Sequence, residues 1–227
     1  KLFCSDNLLT QLDLSNNNNL NVLSVFNNAL NSLNLSNLNN LEYLYANNNP
    51  INTINTSANP LLRDLQIENT SINSINLLNN PLLDTFYFRN TPIQSMDLSS
   101  FDKLIQVAFG GNALVDLNLK NGKNEQIYYA DSPNLQYVCA DESQVANLQS
   151  LVNSITEVNS YCSFTPGGSF NNISGKFTFD LDQNGCDEND SGFPYNILVK
   201  ITGDNLNGAT FPNQAGDYKY YTSAGNF

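Results

Sequence analysis

The chain has 227 residues and a formal net charge of −12, from 9 Lys+Arg against 21 Asp+Glu. That balance excludes a nucleic-acid binder or an anionic-membrane binder, since both need a positive footprint, and no run of about 18 apolar residues is present to span a bilayer. Histidine is absent altogether, which excludes Ser-His-Asp and Cys-His catalysis and any His-ligated metal.

From the first residues, apolar positions recur every 21 residues. One column runs Leu12, Leu33, Ile54, Ile75, Met96, Leu117, Val138; a second runs Leu23, Leu44, Leu65, Phe86, Val107, Tyr128; a third runs Leu9, Leu30, Ile51, Ile72, Ile93, Leu114, Leu135. No column slips, which predicts an array of stacked coils over residues 1–140. Each coil reads LxxLxLxxNxLxxLxLxxxxx, as in Leu20, Leu23, Val25, Asn28 and Leu30. The LxL triplets have period 2, which predicts a short strand at each, its Leu positions pointing inward. Cys4 falls in the inward column of Val25, Ala46, Ile67, Phe88 and Phe109, and so reads as a small hydrophobe rather than a reactive thiol.

After each first strand comes the column Asn7, Asn28, Asn49, Thr70, Thr91, Asn112, Pro133. An Asn there can bond the backbone of its own turn and of the next coil; Thr supplies part of this and Pro133 none, so the last coil is expected to be irregular. Glu125 stands where other coils place Leu20, Leu41, Leu62, Leu83 or Leu104, and local fraying is expected at that position.

Residues 1–140 thus resemble the leucine-rich repeat family, most closely the nested bacterial class in which a second LxxLxL follows the first within one coil. The resemblance implies a mainly β, right-handed solenoid with strands lining one face, and it implies no reaction.

The two outward faces differ. The second strand set presents Asp13, Asn34, Asn55, Asn76, Asp97, Asn118 and Cys139, beside Gln11, Ser32, Thr53, Ser74, Ser95, Asp116 and Tyr137. This monotonous polar face reads as a structural ladder of side chains bonding along the array. The first set presents Phe3, Ser24, Tyr45, Gln66, Tyr87, Ala108 and Tyr129. It is flanked by Val22, Tyr43, Asp64, Thr85, Gln106, Ile127 and by Phe26, Asn47, Glu68, Arg89, Gly110, Asp131. Aromatic rings with polar tips carry much of the energy at binding surfaces. Tyr43, Tyr45, Tyr87 and Arg89, then Tyr129, are therefore the candidate ligand-binding residues; the alternative is that these aromatics serve strand packing alone.

An open-ended solenoid needs a cap. Asp141 with Gln144 reads as a capping box, and Val145, Leu148, Leu151 and Val152 share one helical face, predicting an amphipathic cap helix over 142–153 within a cap of 141–164. Cys139 and Cys162 flank this segment, and a disulfide closing it fits an oxidising compartment; two free thiols are the alternative. Residues 165–169, Thr-Pro-Gly-Gly-Ser, read as a linker to a second module over 170–227.

In that module a strand-like run over 173–179 leads into Asp180, Asp182, Asn184 and Gly185, the oxygen spacing and sharp turn of the start of a calcium loop. Ser191 stands where a bidentate Glu would close an EF-hand, and no helix pattern flanks the loop. The order strand, D-x-D-x-N-G loop, strand, G-x-Y-x-Y is similar to the immunoglobulin-like B-type repeats of bacterial surface adhesins, which are calcium-binding β-sandwiches. The resemblance implies calcium on Asp180, Asp182, Asn184 and the Cys186 carbonyl, with Asp187, Glu188 and Asp190 available to complete the shell; a metal-free acidic hairpin loop is the alternative. The module is too short for a full sandwich, and Cys186 has no evident partner.

The chain starts in mid-repeat and ends just after a strand-like run, and is expected to be a mature or trimmed part of a longer protein. Asn-rich repeats, a tied cap and a calcium-loop module together resemble secreted, cell-surface proteins of the Bacteroidota that use type IX secretion. That resemblance implies an extracellular or outer-surface location and a binding or adhesion protein for polysaccharide or another protein. The alternative is a spacer or passive secretion cargo. A catalytic site is not expected: the carboxylates that could pair, Asp64 with Glu68 or Asp84, stand on an open strand face exposed to water.

Overall fold

A computed structural model describes residues 1–111, 113–160, 162, 171–179, 191–192, 199–202, 207–210 and 216–222. The chain divides into two compact units, Lys1–Ser160 and Tyr161–Phe227. The first unit is a leucine-rich-repeat-like β solenoid. Its strands in chain order are β1 (Leu2–Phe3), β2 (Val22–Ser24), β3 (Tyr43–Tyr45), β4 (Asp64–Gln66), β5 (Thr85–Tyr87), β6 (Ser95–Asp97), β7 (Gln106–Gly110), β8 (Asp116–Asn118), β9 (Gln126–Ala130), β10 (Tyr137–Cys139) and, after helix α1 (Glu142–Leu151), β11 (Glu157–Asn159).

Two parallel sheets result. The first runs β1-β2-β3-β4-β5-β7-β9 and the second β11-β10-β8-β6. Between them lies a continuous column of apolar side chains in which Leu23, Leu44, Leu65, Phe86 and Val107 are fully buried. Each coil alone could not bury its inward residues; stacking does so for all of them. The triplets at Leu12, Leu33, Ile54 and Ile75 form no strand, contrary to the expectation of one per LxL.

The polar chemistry of the turns explains how the coils stay in step. Asn49 is buried; its Oδ1 accepts Leu30 N–H at 3.1 Å, and its Nδ2 donates to Val25 O at 2.9 Å and Ala46 O at 3.2 Å. Asn28 repeats the pattern with Leu9 N–H and the Cys4 and Val25 carbonyls. Thr70 and Thr91 keep one such bond each, to Ile67 O and Phe88 O, both at 2.8 Å. One residue earlier runs a second polar column that hydrophobic spacing does not reveal: Asp6, Asn27, Asn48, Asn69 and Asn90 all have φ between 53° and 56°. Asn and Asp tolerate this left-handed backbone best among residues with a side chain. Their side chains link coil to coil, Asn27 to Asp6 at 2.7 Å, Asn48 to Asn27 at 2.6 Å, Asn69 to Asn48 at 2.6 Å and Asn90 to Asn69 at 2.8 Å.

The period breaks once inside the array. Leu65 pairs with Phe86 and Phe86 with Val107, but Val107 pairs with Ile127, one residue short of the repeat. In the second sheet Leu117 still pairs with Val138, so the missing residue lies in the Lys120–Glu125 turn and is restored before β10. Glu125 does not fray. It is buried, and it accepts hydrogen bonds from Asn121 Nδ2 at 2.6 Å and from Gln144 Nε2 of α1. A carboxylate replaces the expected Leu because it fastens the cap helix to the last coil.

Asp141 and Gln144 form the expected capping box, with Gln144 Oε1 accepting Asp141 N–H at 3.4 Å. The Asp141 carboxylate also receives Asn121 N–H at 3.1 Å and Gly122 N–H at 2.7 Å, tying the shortened turn to the helix start. Leu148 and Val152 are buried and Val145 packs on the core, but Leu151 is exposed, so the apolar face is narrower than its spacing suggests. Cys139 is bonded to Cys162. Closing a loop of this size constrains the unfolded chain, and reduction is expected to lower stability by about 3 kcal/mol. An unchanged urea midpoint in dithiothreitol, with reduction verified by mass, would contradict that estimate. Cys4 is free, half-buried against the core, and its thiol pKa is pushed up by burial.

In the second unit three antiparallel pairs are described: β12 (Asn171–Lys176), β13 (Thr178–Phe179), β14 (Ser191–Gly192), β15 (Val199–Thr202), β16 (Asn207–Thr210) and β17 (Asp217–Thr222), joined as β12 with β17, β13 with β14 and β15 with β16. The calcium-loop candidates Asp180, Asp182, Asn184, Cys186, Asp187, Glu188 and Asp190 lie outside the described residues. Among the described residues no helix is long and apolar enough to cross a membrane.

Candidate functional site

Most outward side chains of the second sheet and its forerunners are spent on their own turns; at β10 the expected outward pair is instead buried, Tyr137 donating to Asn159 Oδ1 at 2.9 Å and Cys139 bridged to Cys162. Oδ1 of Asp13, Asn34, Asn55, Asn76, Asp97 and Asn118 each accepts the backbone N–H two residues on, at 2.9 to 3.1 Å. The column is structural, as expected, but mainly by turn closure within each coil rather than by bonds along the array. Ser95 Oγ to Asp116 Oδ1, at 2.6 Å, is a bond of the latter kind.

The outward side of the first sheet is built otherwise. In a parallel in-register sheet, residues two apart on one strand share a face, and each stacks beside its equivalents on the neighbouring strands. One row is Val22, Tyr43, Asp64, Thr85, Gln106, Gln126 and the next is Ser24, Tyr45, Gln66, Tyr87, Ala108, Tyr128. Tyr43, Tyr45 and Tyr87 therefore come together on this face, half-buried, as the sequence predicts.

Tyr129 does not join them. The shortened turn rotates β9 by one residue, so Tyr129 pairs with Phe109, packs against the core, stacks edge-on to Phe109 at 5.6 Å and accepts Ser132 N–H at 3.0 Å. Tyr128 takes the outward place, and Ile127 moves inward. The Tyr128 ring meets Tyr87 edge-on at 5.7 Å, and Ala108, on the strand between them, is fully buried.

Most charges on the face are internally matched. Arg89 pairs with Glu68 one coil back, and Arg63 reaches Asp84 at 2.9 Å. Gln66 Nε2 donates to Asp64 at 3.2 and 3.4 Å, and Asn47 Nδ2 to Gln66 Oε1 at 3.3 Å. Tyr87 Oη donates to Gln106 Oε1 at 2.5 Å. Burial, helped by the Asp64 carboxylate, pushes the Tyr45 pKa up to about 12; burial, helped by Tyr128, does the same for Tyr87. Both phenols are therefore protonated donors throughout the physiological range. Asp64 is itself pushed up by burial, against the opposing pull of hydrogen bonds from Gln66 and Tyr45.

No family model matches the chain, and no curated protein does. Among solved structures, the functional domain of InlJ from Listeria monocytogenes, described as including a cysteine ladder, is similar with a TM-score of 0.54 and 19% identity. The match covers 62% of this chain and 31% of that one. At such identity the likeness is one of fold, and it agrees with the leucine-rich-repeat-like solenoid of the first unit.

Proposed function

We propose that this chain is a binding or adhesion module of the cell exterior, and that it holds a protein or polysaccharide partner on the outward face of its first sheet. The observation that carries this reading is the contrast between the two faces. One spends its polar side chains on its own turns; the other clusters Tyr43, Tyr45, Tyr87 and Tyr128 around polar groups of varied type. Aromatics with a wet tip lose little entropy on docking and supply large contact area. The Cys139–Cys162 bridge supports an oxidising, extracellular setting. The role is non-catalytic: the chain has no histidine, and Glu68 and Asp84 are held by arginines.

The test is partner retention. A glycan array and a pulldown from surface extracts identify the partner, and the double variant Tyr45→Ala, Tyr87→Ala is expected to lower its affinity at least about 10-fold, with the melting temperature little changed. Retention at full affinity by the double variant would remove this face as the site. A silent array with no partner would favour a passive spacer.

A further inference from the structure

The Lys120–Glu125 turn, which sets the register step, also brings reacting groups together. It contains Asn121-Gly122. In this dipeptide the glycine nitrogen can attack the preceding side-chain amide, because no Cβ hinders the approach. Gly122 is exposed with a φ of 78°, and a Cβ there would meet nothing within 4 Å.

Four hydrogen bonds arrange the pair. Gly122 N–H donates to Asp141 Oδ2 at 2.7 Å, so a carboxylate stands where that proton would be removed. This bond points along the N–H and leaves the faces of the nitrogen open, where an attacking electron pair develops. Asn121 Oδ1 accepts Lys123 N–H at 2.9 Å, a backbone donor on the oxygen that gains charge when Cγ is attacked. Asn121 Nδ2, the leaving group, donates to Glu125 Oε1 at 2.6 Å and to Phe101 O at 3.1 Å, which stops the side chain from rotating away. An open cleft lined by Gly122, Lys123, Asn124, Asp141 and Glu142 admits water.

We infer that Asn121 is a self-modifying site at which the fold promotes deamidation. The Gly122 nitrogen bonds to Asn121 Cγ as Asp141 takes its proton; the Cγ–Nδ2 bond breaks, and ammonia leaves carrying that proton, returned through water. Water then opens the resulting succinimide at either carbonyl, giving aspartate or isoaspartate at position 121. The product sets a new negative charge between Glu125 and Asp141 and removes the amide donor shared by Glu125 and Phe101 O. Isoaspartate also lengthens the main chain of the turn by one carbon. Both changes loosen the hold of the last coils on α1, so the reaction is an ageing clock for the cap. The binding face plays no part in it.

The same dipeptide recurs as Asn184-Gly185, outside the described residues, and as Asn207-Gly208. The latter lies in β16, paired in register with Thr202 and Ile201 of β15. Backbone held in a ladder cannot fold back on its own side chain, so Asn207 is an internal comparison.

The experiment incubates the intact chain at neutral pH and follows amide-to-acid conversion at each site by peptide mapping and mass spectrometry. Asn121 is expected to convert at least about 10-fold faster than Asn207, and faster in the folded chain than in the same chain unfolded in urea, where the four bonds are lost. Asp141→Asn keeps an N-cap residue and an acceptor for Gly122 N–H but is a far weaker base, and should slow conversion at least about 10-fold. Glu142→Gln, which removes a neighbouring charge from the same cleft, should leave the rate nearly unchanged. Slower conversion of Asn121 in the folded chain than in urea overturns the inference, since the fold would then protect the dipeptide; an unchanged rate in Asp141→Asn, or an equal loss in Glu142→Gln, overturns the role of Asp141. If Asp141→Asn does not fold, the comparison of folded and unfolded wild type decides alone. In the converted chain, amides of α1 should exchange hydrogen faster than in fresh protein; equal protection overturns the effect on the cap.

Discussion

Replacing Asn49 by alanine is expected to cost about 3 kcal/mol of stability, one of the two largest effects foreseen for a single residue of the array. The side chain is 2% exposed and satisfies Leu30 N–H, Val25 O and Ala46 O. Alanine leaves these groups in a dry interior, where an unmade bond costs far more than a made one contributes. Val25 O keeps a second donor in Asn28, so the loss falls mainly on the Leu30 N–H and the Ala46 carbonyl. Asn49→Thr should recover about a third of the loss, because Thr70 and Thr91 make a single turn bond from the same column. Urea unfolding of the three proteins measures this directly. Equal midpoints for Ala and Asn would show that water serves the turn as well as the amide does.

The second large effect is expected at Gly110. Its φ is 110°, and a Cβ there would lie 1.9 Å from Ala130 O, 2.8 Å from Ala130 C and 2.9 Å from Ala130 N. Every one of these atoms is backbone of the paired strand, so no side chain can move aside. Gly110→Ala should therefore cost more than about 3 kcal/mol, from left-handed strain plus loss of the β7–β9 pairing. Gly122→Ala is the control: its φ is also positive, 78°, but nothing lies within 4 Å, and about 1 kcal/mol is expected. Hydrogen exchange should place the damage in β9, with the coils before β5 still protected, because neighbours in a stacked array fail locally. Matching losses at the two glycines would mean that the close approach to Ala130 contributes nothing.

The array is legible in the sequence because burial in a stacked coil imposes one residue type at one interval. Leu44, Leu65 and Phe86 are equivalent by spacing alone, and all three are fully buried. The register step is not legible in the same way. It lies in a polar turn, Lys120 to Asn124, where no apolar interval marks a deletion, and the doublet Tyr128-Tyr129 offers the same side chain to either frame. Glu125 is the available signal: a carboxylate in a leucine column marks either damage or a polar partner, and Gln144 is that partner. The column Asp6, Asn27, Asn48, Asn69, Asn90 is overshadowed by the asparagines beside it; its shared trait, tolerance of positive φ, is conformational rather than hydrophobic. On the face, Tyr43, Tyr45 and Tyr87 can be found because pleat alternation fixes their side of the sheet. The pairing of Arg89 with Glu68 depends on side-chain reach between coils, which spacing does not encode.

In-register stacking also makes this surface a ruler. Its marks fall only at whole strand intervals, about 4.8 Å apart. Tyr45 and Tyr87 stand two marks apart because one coil, carrying Asp64, lies between them. Gain or loss of a coil would leave the buried contacts within each remaining coil intact and still move the two rings by one full mark. Such a surface changes what it can grip in discrete jumps, by length alone, without a single substitution in its core.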